Sequence, residues 1–470
     1  MNKLFEDSAW TNVQVPEKAF IESYKFPWST ISEYSAVEKG PARPPHWEMV
    51  FWWTRKPLIS ARAIIAGSLL QENNSQNFLS DIGINKKSKA AHNNQPRNFG
   101  KIKLLDPFAG FGSIPLEAMR LGLETTAVEL LPTPYVFLKA VLEFPRIGRG
   151  LVGDVEKWGK WITERLREDP LIKELYDENV GVYIGTWEIK CPHCGRWTPL
   201  IGNSWLAKVK DKKNKVYERL AWMEPVVIDD KVEIKIVELN RAVKCANVSK
   251  SMITINDERY KVPESNINAR HEKADCLLCH QPIMHFDPQT GKHYTDVKNL
   301  PRDIKERLES YVKYAIKTYN QSLEGENIEV LARQRLLVKV RVKNEKLEFE
   351  PCTEKDQEKL ELARKELETM LREGDPDIPI ENLSPSERQH RLSVWVWGFN
   401  KFYKLFNPRQ LLILVNLVRL IRKAGKKIEE EKRKEGMSRE DAIKYAEAVT
   451  TFLAIALTKY VNYNAVTTHW

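Results

Sequence analysis

Long apolar runs are missing from these 470 residues. No hydrophobic segment follows Met1, so we expect no secretory leader and a cytoplasmic protein. The most apolar window, Leu411 to Ile421, is too short for a membrane span and carries Asn416 and Arg419. No membrane role is expected. Cysteine is scarce too: six residues in a chain of this length make no disulfide framework. No Gly-Lys-Ser/Thr ends a glycine-rich loop, which excludes a P-loop nucleotide site. No internal repeat is visible, so solenoids and propellers are excluded.

What is present is an ordinary globular composition, with 42% hydrophobic and 29% charged residues and room for two or three domains. The formal charge of +10 suits a polyanionic partner such as DNA, although charge alone fits a merely soluble basic protein equally well.

Pattern divides the chain into six stretches. Residues 1–83 hold an aromatic, proline-rich entry and a helix in PLISARAIIAGSLL, with Pro57 in its first turn. Residues 84–99 are a polar, basic loop. Residues 100–185 form an α/β unit. Residues 186–298 are a β-rich insertion with a Cys-x-x-Cys at each end; KVEIKIVEL (Lys231 to Leu239) alternates as a strand should. Residues 299–383 are highly charged and read as largely helical. Residues 384–470 are aromatic-rich and then helical. PRQLLILVNLVRLIRKAG is apolar on nearly every face and should be a buried helix ending near Gly425. The last helix places Ile443, Ala446, Leu453, Ala456, Leu457 and Tyr460 at helical spacing. Plain core packing explains both of these helices.

The centre of the α/β unit is KIKLLDPFAGFGSIPLEAMRLGL. A short strand leads into Asp106, Pro107, Phe108, Gly110 and Gly112, then a helix ends near Gly122, and a second strand carries Glu129 near its end. In such units glycines let the backbone approach a ligand, and the acid accepts hydrogen bonds from ribose hydroxyls. A dinucleotide fingerprint needs a third glycine where Pro115 stands, so a pyrophosphate-binding turn is not expected. A tight structural turn is the plain alternative.

Cys191-Pro-His-Cys194 and Cys276-Leu-Leu-Cys279 have the spacing of two thiolate knuckles, and four sulfurs satisfy a closed structural zinc site. A redox Cys-x-x-Cys competes with that reading. His193 and His280 stand beside cysteines and could replace a ligand. Cys245 and Cys352 read as ordinary thiols. Lysines, arginines, Trp197, Trp205 and Trp222 in the insertion could track phosphates and stack bases, or the insertion could be a stability module.

DPFAGFGS resembles the cofactor motif of S-adenosylmethionine-dependent amino-methyltransferases that act on DNA. HWEMVFWWTRKPLISARAII (His46 to Ile65), DPFAGFGSIPLEAMRLG, CPHCG, FNPRQL (Phe406 to Leu411) and YVNYNAVTTHW (Tyr460 to Trp470) follow the order of one family. It is that of the zinc-ribbon-containing adenine-specific DNA methylases, with an N-terminal domain of formerly unknown function. The resemblance spans most of the chain except the charged 300–380 region. It implies a Rossmann-like methyltransferase core with an incomplete sheet, an inserted zinc-ribbon module and a C-terminal helical region. Asp106, Pro107, Phe108, Gly110 and Gly112 would line the cofactor, and Glu129 would hold its ribose. Trp53 and Arg55, in the WWTRKP stretch, would form a second cofactor-side motif, with Arg55 on the cofactor carboxylate. A surface arginine beside a tryptophan shelf is the plain alternative for Arg55.

The family's catalytic tetrapeptide, (Asp/Asn/Ser)-Pro-Pro-(Tyr/Phe/Trp), is absent. Arg43-Pro44-Pro45-His46 lacks the polar residue and the aromatic ring, and Asp375-Pro376-Asp377 lacks the second proline. The resemblance therefore leads us to expect the cofactor-binding half of a split, base-flipping methyltransferase, of a restriction-modification type and adenine-N6 specific. A companion chain would supply the catalytic loop. A non-catalytic nucleic-acid-binding relative and an RNA methyltransferase are the alternatives.

Overall fold

The computed structural model describes residues 16–40, 43–50, 52, 54–71, 77–84, 96, 98–100, 102–148, 150–211, 216–239, 251–255, 258–268, 272–344, 346–383 and 394–466. The protein is mixed α/β, with several small sheets. It divides into two compact units, residues 1–165 with 417–463 and residues 166–416 with 464–470.

The first unit opens with helices α1 (Trp28–Glu38), α2 (Leu58–Leu69) and the single turn α3 (Phe78–Asp81). Strand β1 (Lys103–Asp106), helix α4 (Ser113–Arg120) and strand β2 (Glu124–Ala127) follow, then α5 (Pro132–Leu138) and α6 (Gly150–Glu168). β1 and β2 pair in parallel, Leu105 opposite Thr126. Helix α2 is buried on most sides because small and branched apolar residues surround it: Leu58, Ile59, Ala63 and Ala66 have almost no exposure. It shares a core with Phe20, Phe26 and Phe78 and with Ala118, Leu121 and Leu123 beside β2.

The second unit starts with α7 (Pro170–Leu175), capped by the Asp169 carboxylate on the Ile172 amide at 3.0 Å. Strands β3 (Val180–Lys190), β4 (Trp197–Pro199), β5 (Trp205–Asp211), β6 (Val216–Ile228) and β7 (Lys231–Leu239) come next. β8 (Met252–Ile255) and β9 (Glu258–Lys261) form a hairpin; β10 (Ile267–Asn268), β11 (Lys273–Asp275) and β12 (Pro282–Ile283) form a small sheet. Then come β13 (His285–Asp287), β14 (Lys292–Tyr294), α8 (Arg302–Arg307), β15 (Glu309–Ser310) and α9 (Tyr311–Ser322). β16 (Ala332–Lys343), β17 (Lys346–Pro351) and α10 (Glu354–Glu373) complete the run. The main sheet is antiparallel, in the order β17-β16-β3-β4.

Two expectations need correction here. Residues 299–383 are not largely helical through their middle, because LLVKVRVK alternates with period two and Val338 and Val340 face the core. The β-rich part also begins before residue 186, since β3 starts at Val180 and pairs with β16. That pairing is long-range, so neither strand announces its partner locally.

Helix α11 (Pro408–Lys434) is buried all round from Leu411 to Val415, as its apolar content requires. It does not end near Gly425 but runs nine residues further. Gly425 lies inside because a Cβ there would come within 3.1 Å of the Thr450 methyl of α12 (Arg439–Tyr463). In the first unit, the later turns of α11 pack with α6 and α12 around Trp158, Ile162, Ala424, Ile428, Val449 and Leu453. The buried stripe of α12 is Ala442, Tyr445, Ala446, Ala448, Val449, Leu453 and Ile455. Ile443, Ala456 and Tyr460, expected on it, are exposed.

Candidate cofactor and metal sites

The loop after β1 is built by two glycines in left-handed conformations, Gly110 at φ +52° and Gly112 at φ +77°. Gly112 is doubly required: a Cβ would also lie 2.7 Å from the Leu138 side chain. The Ala109 amide donates to the Val128 carbonyl at 3.0 Å, which ties the loop to the end of β2. The Glu129 carboxylate takes the Gly110 amide on one oxygen at 2.7 Å and the Leu130 and Leu131 amides on the other at 2.8 and 3.0 Å. The Leu131 amide leads in holding this carboxyl below its ordinary value; burial opposes, and the Gly110 and Leu130 amides add to the lowering. Glu129 therefore clamps the loop and, of the about four acceptor positions of a carboxylate, keeps one, on Oε2, for a further donor.

Asp106 is buried at the strand end. Its Oδ1 accepts the Phe108 amide at 3.2 Å, while Oδ2 is buried without a hydrogen-bond partner among the described residues. A buried carboxylate oxygen left unpaired is costly, and such an atom beside an open loop fits a ligand that donates to it. Phe108 projects outward and is largely exposed, and Pro107 turns the chain between them.

Trp52 and Arg55 come to this loop from the segment before α2. The Trp52 ring nitrogen lies 3.9 Å from where a Cβ would stand on Gly110, and the Arg55 guanidinium sits 5.6 Å from the Phe111 ring centre. Arg55 also donates to the Val50 carbonyl at 3.1 Å, leaving Nε buried without a partner among the described residues. Phe111 stacks on Phe137 at 3.6 Å beside the buried Trp47. Trp47, Trp52, Thr54 and Arg55 line a cleft of about 430 Å³ with Glu38, Lys39 and Arg43, large enough for a small-molecule ligand; Asp106, the two glycines and Glu129 are not part of its lining. Trp53 and the Cys245 thiol lie outside the described residues, as does most of the 84–99 loop.

Under the loop lies a pair that sequence reading missed. Arg62 of α2 and Glu117 of α4 form an ion pair with both side chains fully buried. Arg62 also reaches the Ile82 carbonyl at 3.0 Å, and Arg120 joins Glu117 at 3.0 Å. Burial lowers the Arg62 pKa and Glu117 opposes that effect. The pair fixes the helix that follows Gly112. The only signal for it was a charged residue on the apolar side of each helix.

In the second unit the four cysteines meet. The Sγ atoms of Cys191, Cys194, Cys276 and Cys279 all lie within 4.8 Å of one another, with Cys191–Cys279 at 3.8 Å and Cys194–Cys276 at 3.9 Å. Tetrahedral zinc with sulfur bonds near 2.3 Å needs sulfurs about 3.8 Å apart, so the cluster fits that metal. The distances are far too long for disulfides. Each knuckle closes with the same bond, Gly195 amide to Cys191 carbonyl at 2.9 Å and His280 amide to Cys276 carbonyl at 3.0 Å. Gly195 and His280 occupy the same left-handed position, at φ +70° and +59°. Burial pushes the Cys191 and Cys279 thiols up. Burial acts the same way on Cys194, but the Arg196 backbone and side-chain hydrogen bonds bring that thiol down to about 7.

The neighbouring residues have other occupations. His193 Nε2 contacts the Pro282 carbonyl at 3.1 Å, which turns its ring away from a ligand role. Burial pushes the Cys352 thiol up to about 12, so it is inert at neutral pH. Trp222 is buried, Trp205 packs edge-on against it under Lys208 at 3.8 Å, and Trp197 is covered by Arg333 at 4.4 Å. Of the three rings, Trp222 alone is buried, while Trp197 and Trp205 are partly exposed.

Among known families, the model described as "Protein of unknown function (DUF1156)" matches residues 25–96, the segment holding α1, Trp52, Arg55 and α2. Neither the curated proteins nor the solved structures contain a match to the chain. Among the described residues, no helix is long and apolar enough to cross a membrane.

Proposed function

We propose that this chain is the S-adenosylmethionine-binding part of an amino-methyltransferase acting on DNA, with adenine N6 as the target. The catalytic tetrapeptide, which these 470 residues lack, would be supplied from outside them. The observation that carries this reading is the buried, unpartnered Oδ2 of Asp106 beside the left-handed glycines and the Glu129 clamp. The resemblance of DPFAGFGS and WWTRKP to the methylase family supports it from the sequence side.

When bound, S-adenosylmethionine supplies an electrophilic methyl group on a sulfonium; an amine lone pair takes it, the carbon–sulfur bond breaks, and S-adenosylhomocysteine and a proton leave. Asp106 would accept hydrogen bonds from the ammonium of the methionyl end through Oδ2. Glu129 would accept a ribose hydroxyl at the one position on Oε2 that the Gly110, Leu130 and Leu131 amides leave open. Arg55, with its partnerless Nε, would meet the carboxylate in the planar manner that guanidinium favours. The four-cysteine cluster would hold zinc as a closed structural site with no open position for chemistry.

The test is titration calorimetry of the purified chain with S-adenosylmethionine. One molecule should bind per chain. Asp106→Ala removes a charged hydrogen-bond partner worth roughly 1.5–3 kcal/mol and should weaken binding about 10- to 150-fold at unchanged circular dichroism. A chain that ignores the cofactor, or an Asp106→Ala variant that binds it normally, would make this a non-catalytic scaffold instead.

A further inference from the structure

The turns of α11 from Leu417 onward belong to the first unit and pack against α6 and α12. Leu417, Leu420, Ile421, Ala424 and Ile428 turn into that bundle. The other side of the helix is cationic. Arg419, Arg422, Lys423, Lys426 and Lys427 are exposed, and Glu430 is the first exposed acid after them. Spacings of three and four residues set these cations along one side.

Elsewhere the bundle neutralises its charges between elements. Lys157 of α6 pairs with Glu431, Lys432 with Asp154, and Lys444 of α12 with Glu143. Arg419 and Arg422 are engaged elsewhere in the fold. Lys423, Lys426 and Lys427 form no ion pair among the described residues, although Glu430 stands one turn beyond Lys426 and Lys427. Lys427 only lies toward the half-buried Trp161 of α6, with Nζ 6.0 Å from the ring centre.

The fold alone does not call for this stripe. Lys423 stands one turn before Lys426 and Lys427, and Arg422 one turn before Lys426; like charges at these spacings destabilise a helix. The helix dipole favours cations in the last turn, which accounts for Arg433 and Lys434 but not for Lys423 to Lys427, well before the end at Lys434. A lipid surface is a poor match. Helices that lie on membranes bury an apolar face in them, and that face of α11 is already packed against α6 and α12.

We infer that this stripe is a docking surface for the phosphate backbone of duplex DNA, with Lys423, Lys426 and Lys427 at its centre. Lysines on a rigid helix neutralise phosphates without reading base edges, so the contact positions a duplex rather than choosing its sequence. From Arg419 to Lys434 the stripe is about 22 Å long, a length over which a duplex presents about six phosphates per strand. It lies in the same unit as the loop after β1. The choice of DNA among polyanions rests on the proposed function; the unpaired cations do not.

The test is fluorescence anisotropy of the full chain with a labelled duplex of about 30 base pairs, between about 50 and 200 mM salt. Binding should weaken steeply with salt as counterions are released. Lys423→Ala, Lys426→Ala and Lys427→Ala combined should lower the slope of log affinity on log salt by about 2 to 3 and weaken binding about tenfold or more. The urea midpoint of that variant should hold or rise, because like charges are removed. Lys346→Ala, Lys365→Ala and Arg372→Ala remove the same charge from exposed positions of the second unit and should leave slope and affinity within about twofold. Cofactor titration separates the two readings. A chain that docks DNA through the stripe yet ignores S-adenosylmethionine sinks only the proposed function. A triple-lysine variant that binds both cofactor and duplex as wild type does sinks only the stripe. No binding to the duplex, equal loss in the two triple variants, or tighter binding to anionic lipid vesicles or single-stranded RNA than to duplex DNA would overturn the docking surface.

Discussion

In the four-stranded sheet, β3 and β16 are paired on both sides, whereas among the described residues β1 and β2 pair only with each other. The first sheet is closed by its own chain: α9 and α10 cover it, and Glu188 in its middle is neutralised by Arg333 and Arg335. Beside it, two knuckles bring four sulfurs to one point in place of a larger apolar core. The second sheet has a complete core on one face and an open apolar face on the other. The difference is one of exposure: α9 and α10 pack on the first sheet, while β1 presents Leu105 to solvent.

Removing the metal should break that contrast most strongly. Zinc held by four thiolates contributes on the order of 10 kcal/mol to the folding of small modules. Metal analysis should find one zinc per chain, and Cys276→Ala should lose it. The second unit should then melt early or lose cooperativity, while cofactor binding by the first unit should persist. A variant that melts normally without metal would show that the cluster is not a structural site.

The next largest effect should come from the first unit. Glu117→Ala leaves Arg62 charged and fully buried, a change that costs about 3–5 kcal/mol, read as a fall in urea midpoint. The combined Arg62→Met, Glu117→Leu chain should lose much less, because no charge is stranded. Equal loss in both chains would mean that packing rather than charge holds α4.

A smaller, pH-dependent effect sharpens the comparison from the other side. Asp177 of the second unit bonds to Lys359 foremost; burial opposes ionisation and Lys339 adds a second bond, leaving its pKa at about 2. That lies below the unfolded value of about 3.9, so Asp177 contributes stability above about pH 4 that is lost as pH falls toward 2. Asp177→Asn should flatten the urea midpoint across that window.

Some of this was legible in residues alone. The strand–loop–helix–strand order around Asp106 and the left-handed glycines follow from local chemistry, since glycine tolerates φ values that other residues avoid. The cysteine spacing announced two knuckles, and their convergence is now visible. The alternation in KVEIKIVEL marked β7 correctly, yet the same signal in LLVKVRVK was obscured by the charged helices on either side. The end of α11 was misjudged because Gly425 serves close packing against Thr450, not termination.

By itself, then, the sequence determined the short-range features: turns, knuckles, strand periods and helix starts, all set by residues within a few positions of one another. Only the tertiary structure decided that Arg62 meets Glu117, that β3 pairs with β16, and that Trp52 and Arg55 reach the loop after β1. It also decided that Asp106 ends with one oxygen unpaired and that Leu105 looks outward. These depend on which distant segments exclude water from each other, and burial of that kind has no local signature in the chain.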